Sequence, residues 1–310
     1  MAQTYTVQAI TAPAYGSVAS GTTGNTIFRN TGTVAKQSGN GAWITGPANR
    51  ATITIRCVNG SGTPANCGTA GNNARVTIGT SGVTSGRALA ITDFTVASGT
   101  GTVGAGTTTG AGPLDFVFSG FTGTGNLTFF MDTTLPISGD DIGGTTGAAT
   151  SGFFVRVAKD PIVPSVGLTG LATITVRRSL QVVKVSDLQL GTLVRPSTGS
   201  GTVLINNATG ARTTGGANPP ALVTGPVFGR AVFTISGEPS TTFSITVPAS
   251  TAITSGANTL TVTLSPTVSG TQTMAVGGTL SLGVGSTTTL TSTQASGSYS
   301  GSFTVTIAYN

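Results

Sequence analysis

The chain has 310 residues, enough for two ordinary domains, yet only 7% of them are charged. Its 14 Lys and Arg outnumber its 8 Asp and Glu and give a net charge of +6. Because these cations are scattered, apart from the Arg177-Arg178 pair, we expect no nucleic-acid-binding face. The absence of histidine excludes Ser-His-Asp and Cys-His catalysis and histidine-containing metal sites.

Alternating apolar residues predict an all-β fold. Short bursts of Val, Ile, Leu and Phe are separated by turn residues about every eight to twelve positions, a spacing typical of sandwiches and barrels. Glycine supplies 47 residues, roughly twice its usual share, and helical periodicity is almost absent. No apolar stretch approaches the ~18 residues of a membrane helix, so we expect no membrane span. We expect two tandem immunoglobulin-like antiparallel β-sandwiches.

The first predicted strand is "TYTVQAI", near the N-terminus, in which Tyr5, Val7 and Ala9 alternate with polar residues. The opening "MAQTYTVQAI" lacks the basic start and apolar segment of a signal peptide. The composition is typical of an exported protein, so we expect a mature or trimmed form.

The two cysteines, Cys57 and Cys67, lie ten residues apart in "RCVNGSGTPANCG". In an oxidising compartment this spacing is typical of a short-loop disulfide. Two reduced structural thiols are the alternative.

The acidic residues contain one cluster. Asp132, Asp140 and Asp141 lie in "MDTTLPISGDDIGG", where a structural calcium site is conceivable because calcium binds several oxygens on a flexible loop. Solvated loop aspartates are the commoner case, so we expect no metal and no cofactor. Because carboxylates are too sparse to supply a facing catalytic pair, we do not expect an enzyme.

The two halves of the chain follow a common pattern. Each opens with a strand, followed by Tyr15-Gly16 in the first half and Leu190-Gly191 in the second. The halves also end alike, with "GLATITV" matching "GSFTVTIAY". A duplicated sandwich is the simplest account, with domains at residues 1–177 and 178–310.

The chain ends on its best-patterned predicted strand. Phe303, Val305, Ile307 and Tyr309 alternate with small residues, and the stretch carries neither the charge nor the proline that usually protects a sheet edge. Such an edge is expected where another chain, or another part of this one, adds a strand beside it. The alternative is a terminal strand buried in the middle of its own sheet.

Four stretches of the second half carry a resemblance to a known family: "LQLGTLV", "AVFTISGEPSTTFSITVP", "VGGTLSLG" and "ASGSYSGSFTVTIAYN". From about Ser179 to Asn310 the chain resembles the secreted bacterial "domain of unknown function 4402" family. That family is similar to spore-coat-U and chaperone–usher pilus subunits, incomplete sandwiches that a strand of the next subunit completes. Such pilins carry a penultimate aromatic residue and a glycine fourteenth from the end, which Tyr309 and Gly297 match.

The resemblance implies a pilin-like structural subunit of an extracellular bacterial filament or pilus-like surface appendage. It would assemble head to tail with copies of itself by β-strand donation, with a periplasmic chaperone as a further partner. The expected assembly strand comprises Gly297, Tyr299, Phe303, Val305, Ile307 and Tyr309. Tyr5, Val7 and Ala9 form the candidate donor strand, although the same residues also suit an ordinary first strand.

Two other functions remain open at this point. A cell-surface adhesin would bind glycans through exposed aromatic residues, for which Trp43 in "GAWITG" is the best candidate. A phage or viral structural protein is the other alternative, because those proteins also use Gly/Thr-rich sandwiches.

Overall fold

The computed structural model describes residues 3–58, 67, 72–121, 125–139, 145–225 and 227–310. These residues form 26 strands and no helix, which confirms the predicted all-β class. The chain divides into two compact units, Met1–Ser179 and Leu180–Asn310. The boundary expected from the sequence, after residue 177, lies slightly before this division.

Unit 1 contains fourteen described strands: β1 (Thr4–Thr11), β2 (Ala14–Ala19), β3 (Asn25–Asn30), β4 (Val34–Ser38), β5 (Ala42–Thr45), β6 (Ala51–Val58), β7 (Ala74–Ser85), β8 (Asp93–Ser98), β9 (Thr102–Thr107), β10 (Thr109–Gly110), β11 (Leu114–Ser119), β12 (Asn126–Ser138), β13 (Gly147–Lys159) and β14 (Gly167–Arg177). They build two seven-stranded sheets. The first has the order β1-β6-β12-β3-β4, with β8 also on β12 and β10 on β8; the second has the order β5-β2-β14-β13-β7-β11-β9. Among the described ladders of unit 1, the one between β2 and β14 is parallel and the others are antiparallel.

The two sheets of unit 1 pack face to face over one apolar core. Strict alternation buries one face of each central strand, as in β6, where every second residue of "ATITIRCV" is buried. Phe129 on β12 makes edge-to-face contacts with Phe116 and Phe118 on β11, with ring centroids 5.5 and 5.2 Å apart. Since β11 and β12 belong to different sheets, these aromatic pairs join the two layers.

Strand β1, the candidate donor, is built into unit 1. It pairs antiparallel with β6, and Tyr5 and Val7 are buried in the core. The expectation that Ala9 shares their face is wrong, because a bulge after Val7 shifts the register and leaves Ala9 exposed. Cys57, at the end of β6, forms a disulfide with Cys67.

Unit 2 contains twelve described strands: β15 (Gln181–Ser186), β16 (Leu193–Val194), β17 (Ser200–Ile205), β18 (Arg212–Gly215), β19 (Ala221–Leu222), β20 (Ala231–Ser236), β21 (Thr242–Thr246), β22 (Ser250–Ser255), β23 (Asn258–Pro266), β24 (Gly270–Thr273), β25 (Thr279–Thr291) and β26 (Thr306–Tyr309). Seven of them form a sheet of order β15-β20-β25-β17-β18, with β23 also on β25 and β22 on β23. The remaining strands form a pair, β16-β19, and a three-stranded sheet, β24-β21-β26.

The larger sheet of unit 2 repeats the first sheet of unit 1. The order β15-β20-β25-β17-β18 matches β1-β6-β12-β3-β4 strand for strand, and β23 joins β25 as β8 joins β12. The turn glycines correspond as well: Gly16 and Gly191 both have positive φ, of 67° and 71°. Both units are therefore built on the same plan, as the repeated sequence pattern suggests.

Removing the buried hydroxyl of Tyr15 is expected to weaken unit 1. This hydroxyl donates to the Thr133 carbonyl oxygen at 2.8 Å and lies 2.7 Å from Thr133 Oγ1. Tyr15→Phe should lower the free energy of unfolding by about 1–2 kcal/mol, because buried polar groups lose a partner. Urea denaturation followed by Trp43 fluorescence reports on unit 1, since Trp43 is the only tryptophan. Thr133→Val should lower the free energy of unfolding by a similar amount. If the losses of the two single variants add fully in the Tyr15→Phe, Thr133→Val double variant, the two hydroxyls do not share a hydrogen bond.

Candidate functional site

Unit 2 contains a large groove with an apolar floor. Its volume is about 960 Å³. Core-facing residues of the larger sheet form the floor, among them Ala231, Phe233 and Val262, and the walls are residues 186–193 and 294–303. The size and chemistry of the groove suit an extended peptide with apolar side chains.

Strand pairing identifies what borders the groove on one side. β26 pairs with β21 as β13 pairs with β7, so that Ile307 lies opposite Ile245 where Val157 lies opposite Val76. The sequences agree, with "FTVTIA" at residues 303–308 and "FFVRVA" at residues 153–158. The C-terminal segment of unit 2 is therefore the counterpart of β13.

This pairing corrects the match that the sequence suggested. The sequence pattern matches "GSFTVTIAY" to "GLATITV", which lies in β14, and this prediction is wrong. Alternating Thr and aliphatic residues occur in both β13 and β14, so the pattern alone does not distinguish the two strands. Consequently, the described residues of unit 2 include no counterpart of β14.

Residues 189–194, which include β16, border the other side of the groove and correspond to β2. The isolated bridge Gln189–Gly229 repeats the bridge Ala14–Asn49. The pairing of Leu193 with Leu222 likewise repeats that of Val18 with Trp43. In unit 1, β14 lies between β2 and β13, whereas in unit 2 the corresponding edges border the groove.

Equivalent residues are buried to different extents in the two units. β14 buries Ala172, Ile174 and Val176 in the core of unit 1. Val7 and Val182 hold the same register, opposite the fully buried Ile55 and Ile235, yet Val7 is 8% exposed and Val182 is 37% exposed. The buried residues of unit 1 form one cluster, whereas those of unit 2 form two.

The residues predicted for the assembly strand meet at this groove. Gly297, Tyr299 and Phe303 line it. Val305, Ile307 and Tyr309 pack on the core below, although the strand itself begins only at Thr306. Strand β26 lies at the edge of its sheet and not in the middle, and the Tyr309 hydroxyl accepts a hydrogen bond from the Glu238 N–H at 2.8 Å.

Sequence reasoning missed the residues that hold the opposite wall. Arg212 on β18 donates to the Leu190 carbonyl oxygen at 2.8 Å and to the Val223 carbonyl oxygen at 2.9 Å, and its guanidinium lies 4.4 Å from the centre of the Phe228 ring. These bonds fix the segment around Leu190. The repeated "LQLGTLV" located this segment, but nothing in the sequence linked Arg212 to it.

The remaining candidate sites gain little support. The Trp43 indole N–H donates to the Tyr15 carbonyl oxygen at 3.0 Å, so its polar group is used within unit 1. Asp132 Oδ1 lies 3.9 Å from Arg50 Nη1, and burial raises the pKa of this carboxyl despite the nearby arginines. Asp140 and Asp141 lie outside the described residues, and the described part of the chain holds no group of three potential metal ligands.

Comparison with known proteins gives one family match. The model of "Domain of unknown function (DUF4402)" matches residues 180–309, which confirms the resemblance of unit 2 to that family. No curated protein matches the chain.

The solved structures with a distant similarity include the CsuC–CsuE chaperone–tip adhesion subunit pre-assembly complex from archaic chaperone–usher Csu pili of Acinetobacter baumannii. The alignment covers 97% of this chain and 99% of that chain at 10% identity, with a TM-score of 0.28. A TM-score of this size says nothing about function. Across the described ranges, no helix has the length and apolar character needed to cross a membrane.

A matched pair of cysteine variants should measure how exposed unit 2 leaves a position that unit 1 covers. Because the two native cysteines form a disulfide, Val182→Cys and Val7→Cys each add a single thiol. The cysteine at position 182 should react with a thiol reagent at least ~10-fold faster, since position 7 is covered by the second sheet of unit 1. Equal rates under non-reducing conditions would contradict this difference in exposure between the two units.

Proposed function

We propose that this chain is a structural subunit of an extracellular bacterial filament or pilus-like appendage, joined to its neighbour by a β-strand that enters the groove of unit 2. The observation that supports this most directly is the contrast between the units. Both follow one plan, but the two edges that β14 joins in unit 1 border an apolar groove in unit 2.

An added strand would pair with the strand edge beside the groove and cover its apolar floor. Its backbone would pair with the free edge of the C-terminal segment, and its alternate side chains would cover Phe233 and Val262 on the floor. In unit 1, Ile174 and Val176 of β14 are buried in the core. Full burial of such a side chain contributes about 1.5–3 kcal/mol. A strand of similar pattern would add several contributions of this size, which offset the cost of ordering the strand.

The entering strand belongs to the neighbouring subunit, and it is not β1. Donation of β1 would break its ladder with β6 and expose Tyr5 and Val7. A head-to-tail joint that repeats without closing produces a fibre. Before assembly, the exposed groove favours aggregation, so a chaperone that covers it is the expected partner.

A carboxylate in the groove should prevent the joint. Leu190 lines one wall, and Leu190→Asp would place an unpaired charge beneath the incoming strand. Burial of such a charge costs several kcal/mol, so association should weaken by more than ~100-fold. Electron microscopy and sedimentation should then show filaments of the wild type and isolated Leu190→Asp chains that retain the native circular dichroism.

Val276→Asp is the matched control, because Val276 is 87% exposed and does not line the groove. It should assemble like the wild type. Filaments of Leu190→Asp with normal length would contradict the proposal. A Val182→Cys chain that stays monomeric and resists labelling would also contradict it, because the chain itself would then cover the position that unit 2 leaves exposed.

A further inference from the structure

The strand that closes unit 1 indicates the direction of the strand that unit 2 receives. β14 runs antiparallel to β13 and parallel to β2. Residues 297–309 correspond to β13, and residues 189–194 correspond to β2. A strand that follows both edges of the groove therefore runs antiparallel to residues 297–309 and parallel to residues 189–194.

Phe153 and its counterpart Phe303 set a first size limit. Gly170 of β14 lies opposite Phe153, and a Cβ atom on Gly170 would collide with the Phe153 ring. Phe303 holds the same position in unit 2, where its ring packs edge-on against Phe233 with centroids 6.1 Å apart. By this correspondence, we expect glycine or a similarly small residue opposite Phe303 in the entering strand.

Tyr299 sets a second limit that unit 1 does not have. Ile174 of β14 lies opposite Ala149, four residues before Phe153, and the residue four positions before Phe303 is Tyr299. The Tyr299 hydroxyl donates to the Ala295 carbonyl oxygen at 2.8 Å and accepts from Gln294 Nε2 at 2.7 Å, so the ring is held at the groove wall. An aromatic ring leaves less space than the methyl group of Ala149.

We infer that Phe303 and Tyr299 select the entering strand by side-chain size. The strand carries a glycine-sized residue opposite Phe303 and, four positions later, a residue smaller than isoleucine opposite Tyr299. The sequence of β14 meets the first requirement with Gly170 and fails the second with Ile174. Unit 2 therefore discriminates against the strand that closes unit 1. This inference rests on the proposed function, because it concerns the strand that the groove receives.

Three fluorescent peptides based on residues 167–177 test the inference against the full chain. The first has the native sequence, the second carries Ile174→Ala, and the third carries Ile174→Ala together with Gly170→Val. Fluorescence anisotropy measures the affinity of each peptide for the wild type and for three variants of the chain: Tyr299→Ala, Tyr299→Phe and Phe303→Ala.

The wild type should bind the Ile174→Ala peptide about tenfold more tightly than the native peptide, because overpacking at a tight contact costs about 1–3 kcal/mol. Tyr299→Ala should reverse this preference, since the larger side chain then fills the space left by the ring. Tyr299→Phe retains the ring and should keep the wild-type preference. The peptide with Gly170→Val should bind only the Phe303→Ala variant.

The outcomes separate this inference from the proposed function. If the peptides bind the wild type equally, or if Tyr299→Ala leaves their order unchanged, selection by size is wrong while strand binding stands. If no peptide binds the wild type or any variant, the groove does not accept strands, and the proposed function fails as well.

Discussion

A β-sandwich has to satisfy the backbone hydrogen bonds at its strand edges and cover the apolar faces of its sheets, and one strand does both for unit 1. β14 pairs with β13 on one side and with β2 on the other, and its inward side chains complete the core. Unit 2 repeats the first sheet of unit 1 and both flanking edges, but in unit 2 these edges border a groove. The difference between the two units thus depends on a single strand.

The low charge of the chain is consistent with a groove that binds a strand through shape and apolar burial. The described lining of the groove is mostly apolar or hydroxyl-bearing, and Lys184 and Asp187 at its margin form an exposed ion pair at 2.7 Å. Exposed pairs contribute little to binding, so affinity would depend on shape and burial. Selection by residue size at Phe303 and Tyr299 follows the same logic, because tightly packed contacts discriminate between side chains that differ by one or two carbon atoms.

The local alternation of apolar residues predicted where the strands lie, but it could not predict which strands pair with each other. The alternation in "ATITIRC" and "FTVTIAY" follows from burial of one sheet face and is visible in any window of the sequence. The choice between β13 and β14 as the counterpart of the C-terminus depends on hydrogen-bonded neighbours, which two similar Thr-rich strands do not reveal. The bulge after Val7, which turns Ala9 outward, and the contact of Arg212 with the groove wall likewise depend on pairing distant in sequence.

The position of β14 also has a mechanical consequence. Arg177 is the last residue of β14, and unit 2 follows within a few residues along the chain. Tension passing between the units therefore reaches unit 1 at the end of a strand that is bonded along both edges. When such a strand is pulled along its own axis, its hydrogen bonds share the load, whereas a peeled strand loses them one at a time. Under a pull in that direction, the strand that closes the core of unit 1 would also be the strand that resists its unfolding.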